Sequence, residues 1–286
     1  MGSAVLDARA SRAGLWSNRY LIWNFARRDL KGRFKGTAVG WAWSLLLPLA
    51  TVLIYSIVFS LFIRISPPNL GNGDPGRYWV WLLVGMVAWN FLLNATTQGI
   101  PSLLGNGPLL QKIYIPSFVP VVANTVAIGV QSLIELGILA VILAVFGNVG
   151  LSWLLVPFWV VLLLVFAASF TYALSVANVF YRDVGQLVAV AMQMIFFLTP
   201  IIYPLTMIPE QWNGIPVRSI VSASPFAEFV TAGRTLLYDL QVPDLRQMMA
   251  LVAWTAAMLL VASLIARRGG QDVGEYELFD ALHDEW

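Results

Sequence analysis

The sequence predicts an all-α membrane protein with six transmembrane helices, an N-terminal amphipathic interfacial helix, and short re-entrant outer helices between spans five and six. Of 286 residues, 59% are apolar and only 11% are charged, whereas soluble domains carry about 25% charged residues. Mean hydropathy is +0.76. Residues 136–181 contain no Asp, Glu, Lys or Arg. That stretch is too long for one buried core helix and long enough for two membrane crossings.

Six stretches have the length of about 20 apolar residues that a bilayer core requires. They are Val39–Ile63, Tyr78–Gly99, Val119–Phe146, Leu151–Val179, Leu187–Tyr203 and Leu245–Ala266. An even number of crossings places both termini on one side. The positive-inside rule makes that side cytosolic, because it then holds 12 of the 17 Lys and Arg residues.

These spans divide the chain into a cytosolic N-terminus with an amphipathic helix (residues 1–38), a six-span domain (39–266) and an acidic cytosolic tail (267–286). No signal-peptide pattern precedes the first span, so we expect the N-terminus to be retained. The outer connection, residues 204–243, is apolar and contains five prolines. Its pieces Ile215–Ala223 and Phe226–Tyr238 are too short to span, which favours broken helices that dip part-way into the bilayer over a loop on the outer surface.

The N-terminal helix places aromatic and apolar residues on one face, and most of its cations lie on the others. The face consists of Trp16, Tyr20, Trp23, Leu30 and Phe34. The cations we single out are Arg27, Arg28, Lys31, Arg33 and Lys35. Such a helix lies at the membrane surface, where its cations meet anionic lipid or phosphate. It either anchors the protein or gates a substrate entrance.

Two inner connections are candidate docking elements for a partner. Residues 105–116 contain a Gly- and Pro-rich break and one amphipathic turn that ends at Pro116. Its candidate contact residues are Leu110, Lys112, Tyr114, Ile115 and Pro116. Arg182 and Asp183 supply the only charges of the turn between spans four and five. Local sequence alone also fits a plain connecting loop and a tight capped turn.

An aromatic stripe runs along span one, where Trp41, Pro48, Tyr55 and Phe62 recur at intervals of seven and Phe59 lies on a neighbouring face. Phe197 and Tyr203 on span five could continue it. Aromatic faces stack on sugar rings, but Trp and Tyr also gather at membrane interfaces without a functional role.

Glu135 is the one ionisable side chain deep inside a span. Carboxylates inside a membrane are costly and often functional. With no basic partner apparent in the sequence, a neutral carboxylic acid hydrogen-bonded between helices fits Glu135 equally well.

The sequence offers no catalytic or metal site. It has no cysteine and one histidine, so a nucleophile–base pair or a Cys/His metal cluster lacks its usual members. No Gly-Lys dipeptide occurs, so the phosphate-binding loop G-x-x-x-x-G-K-[ST] is absent. If ATP drives this protein, another subunit hydrolyses it.

Four motifs in register resemble type-2 ABC exporter permeases for polysaccharides. The first is residues 27–36 followed by Gly40-Trp41-Ala42-Trp43 and Leu47-Pro48-Leu49, which resembles the family's opening signature. The others are residues 110–116 with Pro120, then Tyr181-Arg182-Asp183 with residues 199–203, and finally Ser224-Pro225 with Ala232-Gly233-Arg234. They resemble the first coupling helix, the second cytosolic turn with the fifth span, and the outer gate region. Ser224 stands where Asn is commoner, and Lys112 is single where paired basic residues often occur.

The resemblance implies a homodimeric channel in the bacterial cytoplasmic membrane, with two ATP-binding cassette ATPase subunits bound beneath it. No cofactor would be bound by this chain, and ATP and Mg would sit on the partner. Its cargo would be a glycan on polyprenyl pyrophosphate, such as O-antigen, teichoic acid or galactan. Other partners would be membrane lipids, with no nucleic acid.

Three alternatives stay open from the sequence. The same fold serves permeases for a drug or a small lipid. A membrane-embedded polyprenyl-phosphate transferase would use the same basic entrance but would need carboxylates near the inner face, where Asp29 and Asp183 are almost alone outside the tail. The third is a purely structural membrane scaffold.

Overall fold

The computed structural model describes residues 18–33, 40–106 and 115–269 and shows a bundle of α-helices. Within these ranges the only β pairing is one isolated bridge between Trp212 and Ile215. The helices are α1 (Arg19–Arg33), α2 (Trp43–Ser56), α3 (Tyr78–Gly99), α4 (Ser102–Gly105), α5 (Phe118–Val145), α6 (Val156–Phe180), α7 (Val184–Leu198), α8 (Val217–Ser222), α9 (Pro225–Leu237) and α10 (Leu245–Gly269). A 3₁₀ turn, Gly40–Ala42, precedes α2, and a π-helical stretch, Ile57–Phe62, continues it. Further 3₁₀ turns are Leu151–Leu155, which leads into α6, and Leu205–Met207.

The all-α class is confirmed. Among the described residues, four helical segments are long and apolar enough to cross a membrane, namely α3, α5, α6 with its 3₁₀ lead, and α10. The first and fifth predicted spans contain the shorter apolar helices Leu46–Phe62 and Val184–Leu198.

The fifth span is shorter than the sequence predicts because its helix ends at Leu198, and residues 199–203 are not helical. Thr199 has the extended backbone, ψ 136°, that a residue preceding proline favours. Pro200 therefore ends α7.

The bundle is built around α3, which packs against α2, α5, α6, α7 and α9. In its most apolar window, 78% of α3 is buried, compared with 17% in α10, which packs mainly on α6. The exposed faces of α10, α2 and α7 are covered with large apolar side chains. Such faces require lipid or another chain around them.

The connections lie at two opposite ends of the bundle. We call the end with α1, α4 and the turn at residues 181–183 the α1 end. We call the other end, with residues 63–77, 147–150 and 204–243, the α9 end. The predicted outer pieces form α8 and α9, and α9 is largely buried between α3, α6 and α10.

Both termini of α9 are capped by side chains. The hydroxyl of Ser224 accepts a hydrogen bond from the backbone N–H of Ala227 at 3.3 Å, and Pro225 occupies the first turn. At the other terminus, the amide of Asn148 donates to the carbonyls of Leu237 and Tyr238, and Ser152 donates to the carbonyl of Leu236. These bonds satisfy carbonyls that a helix end leaves unpaired.

Candidate functional site

α1 lies against the first turns of α5. Phe25 and Ala26 are buried there with Val119, Ala123 and Ala127. Small side chains on both helices allow the two backbones to approach closely. Of the predicted aromatic face, Tyr20 and Trp23 are 71% and 50% exposed, while Trp16 and Phe34 lie outside the described residues. The helix therefore has a packed side and an open aromatic side.

The described cations of α1 differ in their surroundings. Arg27, Arg28 and Lys31 are exposed, and Arg33 is half-buried. Burial lowers the pKa of the Arg33 guanidinium, and the nearby Asp29 carboxylate opposes this shift. Lys35 lies outside the described residues. Three of the five cations singled out in the sequence are thus exposed along one short helix.

Arg28 connects α1 to the segment that follows α3. Its guanidinium donates to the side-chain oxygen of Asn106 at 2.8 Å and pairs with Asp29 at 3.3 Å. It also lies 4.6 Å from the centre of the Phe25 ring. Asn106 belongs to the predicted docking element, residues 105–116, and is the last residue described before position 115. Its pairing with Arg28 was not predictable from the sequence, because 78 positions separate the two residues.

The docking element itself is described only in part. Leu110, Lys112 and Tyr114 lie outside the described residues, whereas Ile115 and Pro116 are half-buried. Ile115 packs on the cluster formed by α1 and α5. Two described residues of the element, Asn106 near its start and Ile115 near its end, therefore contact α1.

The second predicted docking residues, Arg182 and Asp183, are exposed at the α1 end. Asp183 is the N-cap residue of α7, yet its carboxylate makes no capping hydrogen bond. The side chain of Asn178 takes that role and accepts from the N–H of Gly185 at 2.9 Å. The predicted tight turn is present, but an amide from α6 caps it.

The predicted channel aromatics form a cluster with an open edge. Tyr55 stacks on Phe196 at 5.9 Å between ring centroids and meets Phe59 edge-on at 6.1 Å. Phe59 stacks on Tyr78 at 6.5 Å. Phe62 and Phe197 are 72% and 53% exposed. Phe196 and Tyr78, which the sequence did not single out, thus join α2 to α7 and α3.

Tyr203 is half-buried where α7 has ended. Its hydroxyl donates to the backbone carbonyl of Phe197 at 2.7 Å, which folds residues 199–203 back toward the helix end. The ring is therefore held beside Phe197. The side chain of Trp41, the first member of the predicted stripe, lies outside the described side chains.

Arg234 of α9 holds the non-helical segment that follows α7. The guanidinium is buried and donates to the backbone carbonyls of Pro200 and Ile201. It lies 3.6 Å from the centre of the Trp81 ring. A Cβ at Gly85 would come within 2.5 Å of this guanidinium, so any side chain there would displace it. The hydroxyl of Tyr78 donates to the next carbonyl, that of Ile202, at 2.6 Å.

Glu135 is buried on α5, 8% exposed. Its carboxylate accepts from the Gln131 amide at 3.3 Å, one turn away on the same helix. The oxygen of the same amide accepts from Arg33 at 3.4 Å. A polar chain thus reaches from α1 to the carboxylate, which the sequence did not indicate. Within the described ranges, no three His, Asp or Glu side chains are grouped to hold a metal ion.

The chain is similar in sequence to known transport proteins. Residues 20–238 match the family described as ABC-2 type transporter. An O-antigen export system permease protein RfbA from Myxococcus xanthus is 27% identical over 264 residues, covering 91% of this chain and 96% of that protein. Two proteins of the same name from Klebsiella pneumoniae are each 28% identical over 214 residues, covering 74% of this chain and 78% of theirs.

Proposed function

Because the chain belongs to the ABC-2 type transporter family, we propose that it is the membrane permease of an ABC exporter for polysaccharide of the O-antigen type. The observation that carries this proposal is the similarity to O-antigen export permeases along nearly the whole chain. Membership of this family makes the chain a multi-pass transport subunit of the inner membrane.

The proposed topology has six crossings, with the α1 end in the cytosol. The density of cations before α2 supports this orientation through the positive-inside rule. The two shorter apolar helices would complete the six. α8 and α9 have 6 and 13 residues, too few to cross a bilayer. The capped carbonyls of α9 and the bonds from Arg234 would let this region re-enter the membrane without unpaired backbone groups.

The proposed assembly contains two copies of this chain and two ATPase subunits that carry ATP and Mg. The exposed apolar faces of α2 and α7 would meet the second copy. The ATPase would dock at residues 110–116 and at the turn with Arg182 and Asp183. Ile115, Pro116 and the turn at residues 181–183 lie at the α1 end, which supports docking of one partner beneath the bundle.

The proposed path begins at α1 and follows the aromatics. Arg27, Arg28, Lys31, Arg33 and Lys35 would attract the diphosphate of a polyprenyl-linked glycan, because cations at a membrane surface concentrate phosphate. The sugars would then stack along Tyr55, Phe59, Phe62, Phe197 and Tyr203. The open edge formed by Phe62 and Phe197 supports an aromatic surface that a sugar ring can reach.

ATP turnover of the chain purified alone and with its partner ATPase tests the proposal. We expect no turnover from the chain alone, a stable complex, and turnover that changes when lipid-linked glycan is added. ATP turnover that responds instead to a drug or a short-chain lipid would show that the proposed substrate is wrong, while the permease role would stand. Failure to bind any ATPase would contradict the permease role itself.

A further inference from the structure

We propose that a cleft at the α9 end, between the end of α2 and the start of α3, binds a phosphoryl anion. The cleft has a volume of about 410 Å³. It is lined by Ser60, Arg64, Ile65, Ser66, Pro67, Gly76, Arg77, Tyr78 and Trp79. It is remote from the α1 cations, and the proposal does not depend on which molecule is exported.

The lining is strongly biased in charge. It contains two guanidinium groups, Arg64 and Arg77, and no carboxylate. Guanidinium forks match the oxygens of a phosphoryl group, and serine hydroxyls can donate to the same oxygens. Two cations in one cleft raise the local concentration of anions.

The charged and hydroxyl groups of the lining are open to a ligand. Ser60, Arg64, Ser66 and Arg77 are exposed. Within the described residues, no carboxylate forms an ion pair with Arg64 or Arg77. The Arg77 guanidinium lies 4.8 Å from the centre of the Phe146 ring, which leaves its N–H edges available for an anion. The side chain of Arg77, the N-cap residue of α3, makes no capping hydrogen bond, so the N–H groups of the first turn add to the positive potential.

The loop that forms the floor of the cleft is tied to the rest of the molecule. Gly71 donates through its N–H to the carbonyl of Tyr238 at 2.9 Å, and the hydroxyl of Tyr238 donates to the carbonyl of Pro68 at 2.8 Å. Asn72 donates through its N–H to Asn148 at 3.1 Å. A Cβ at Gly76 would lie 2.0 Å from the carbonyl oxygen of Pro68, so the chain closes tightly there. The cleft is therefore preformed, which lowers the entropic cost of binding.

Two sources could supply the phosphoryl group. Arg64 follows the last apolar turn of α2 by two residues, and cations at that level meet the phosphates of lipid headgroups. Free phosphate or diphosphate in the aqueous phase offers the same chemistry. An experiment with one arm for each source separates them.

The absence of cysteine from the sequence allows a clean test. Ser66→Cys places one thiol in the cleft of the full-length chain, reconstituted in phosphatidylcholine nanodiscs. We expect an anionic methanethiosulfonate to modify this thiol about ten-fold faster than a cationic one, because the cleft concentrates anions. Sodium pyrophosphate should slow the reaction if the free anion binds. Adding phosphatidylglycerol to the nanodisc should slow it if the lipid headgroup binds.

Three further variants serve as controls. Gln241→Cys places a thiol on an exposed position at the same end, between Asp239 and Asp244, where we expect no preference for the anionic reagent. Adding Arg64→Gln to Ser66→Cys should abolish most of the preference and the protection. Adding Arg64→Lys keeps the charge and should retain the preference, which separates a charge effect from a folding defect. Slowing by either probe in the Ser66→Cys chain supports the site. Equal rates for the two reagents would overturn it, and so would a preference without protection by either probe.

Discussion

The guanidinium of Arg234 lies where α7 ends and bonds to two carbonyls of the non-helical segment that follows, one of which a continuous helix could not pair. The carbonyl of Pro200 would need the N–H of residue 204, which is a proline. Arg234 supplies that donor and one for Ile201, and Tyr78 supplies a third for Ile202. Side chains from two other helices thus replace a missing helical turn.

Replacing Arg234 tests this role. Arg234→Met keeps the length of the side chain but leaves two buried carbonyls unpaired, so we expect a loss of about 3 kcal/mol in the free energy of unfolding. Arg234→Lys keeps the charge but lacks the forked guanidinium, so its free energy of unfolding should lie between those of Arg234→Met and the parent chain. Thermal unfolding in detergent, followed by loss of the monodisperse fraction, measures the effect. Arg246→Met, at an exposed position on α10, is the matched control. Equal stability of Arg234→Met and the parent chain would contradict the role.

The rings of Tyr55 and Phe59 are the second set of single residues whose role can be tested. If sugars stack on these rings, replacing both by Ala should lower export about ten-fold, since two stacking contacts of about 0.5–1.5 kcal/mol each are lost. Assembly with the ATPase should persist. Transport by purified complex in vesicles provides the measurement. Phe158→Ala, at an exposed position on α6, controls for loss of a ring in general. Unchanged export by the double variant would remove the aromatic path from the proposal.

At the scale of elements, α1 is joined to both ends of the predicted docking element. Arg28 bonds to Asn106 near its start, and Ile115 near its end packs on the cluster that contains Phe25. A movement of the docking element would therefore shift the position of α1, and the binding of an anion at α1 would shift the position of the docking element. Such reciprocity follows from linkage between two sites.

Asn106→Ala interrupts this connection while leaving the charge of Arg28 in place. We expect the variant to bind the ATPase normally and to lose most of the change in ATP turnover that glycan causes. Asn24→Ala, at an exposed position on α1, should behave like the parent chain. A full response to glycan in the Asn106 variant would show that the two elements act independently.

The boundaries of a helix could be predicted from the sequence where the length of the apolar stretch and the residues flanking it indicated the same end. The predicted span Tyr78–Gly99 is the observed α3, and the third span differs by one residue at each end. The predicted end of the fifth span, Tyr203, lies beyond the observed end of α7 at Leu198. The apolar run continues through Pro200, and hydropathy carries no information about the backbone N–H that proline lacks. The predicted third and fourth spans leave residues 147–150 between them as a short connection, but the sequence did not indicate that Asn148 would cap the end of α9, since its partners are about 90 positions away.

At the scale of the whole molecule, composition and the spacing of apolar stretches were enough to predict the class of fold. A chain with so few charged residues belongs in a membrane, where helices pair all their own backbone groups. The types of residue in the candidate site could be predicted from the sequence, but the contacts between them could not. Cations and aromatics are visible as residue types, whereas the contacts of Arg28 with Asn106, Arg33 with Gln131, and Tyr55 with Phe196 depend on how helices pack. The open apolar faces of α2 and α7 require lipid or another chain around them, which the fold of a single copy does not supply.

The most direct test of the permease role is transport of an O-antigen-type lipid-linked glycan in vesicles containing this chain and its ATPase. Glycan reaching the opposite side would be detected by a glycosidase or a lectin confined there. The proposal predicts transfer only when both subunits and hydrolysable ATP are present, and none with an ATPase that cannot hydrolyse ATP. Transfer at the same rate without ATP, or no transfer from an intact and ATP-hydrolysing complex, would contradict it.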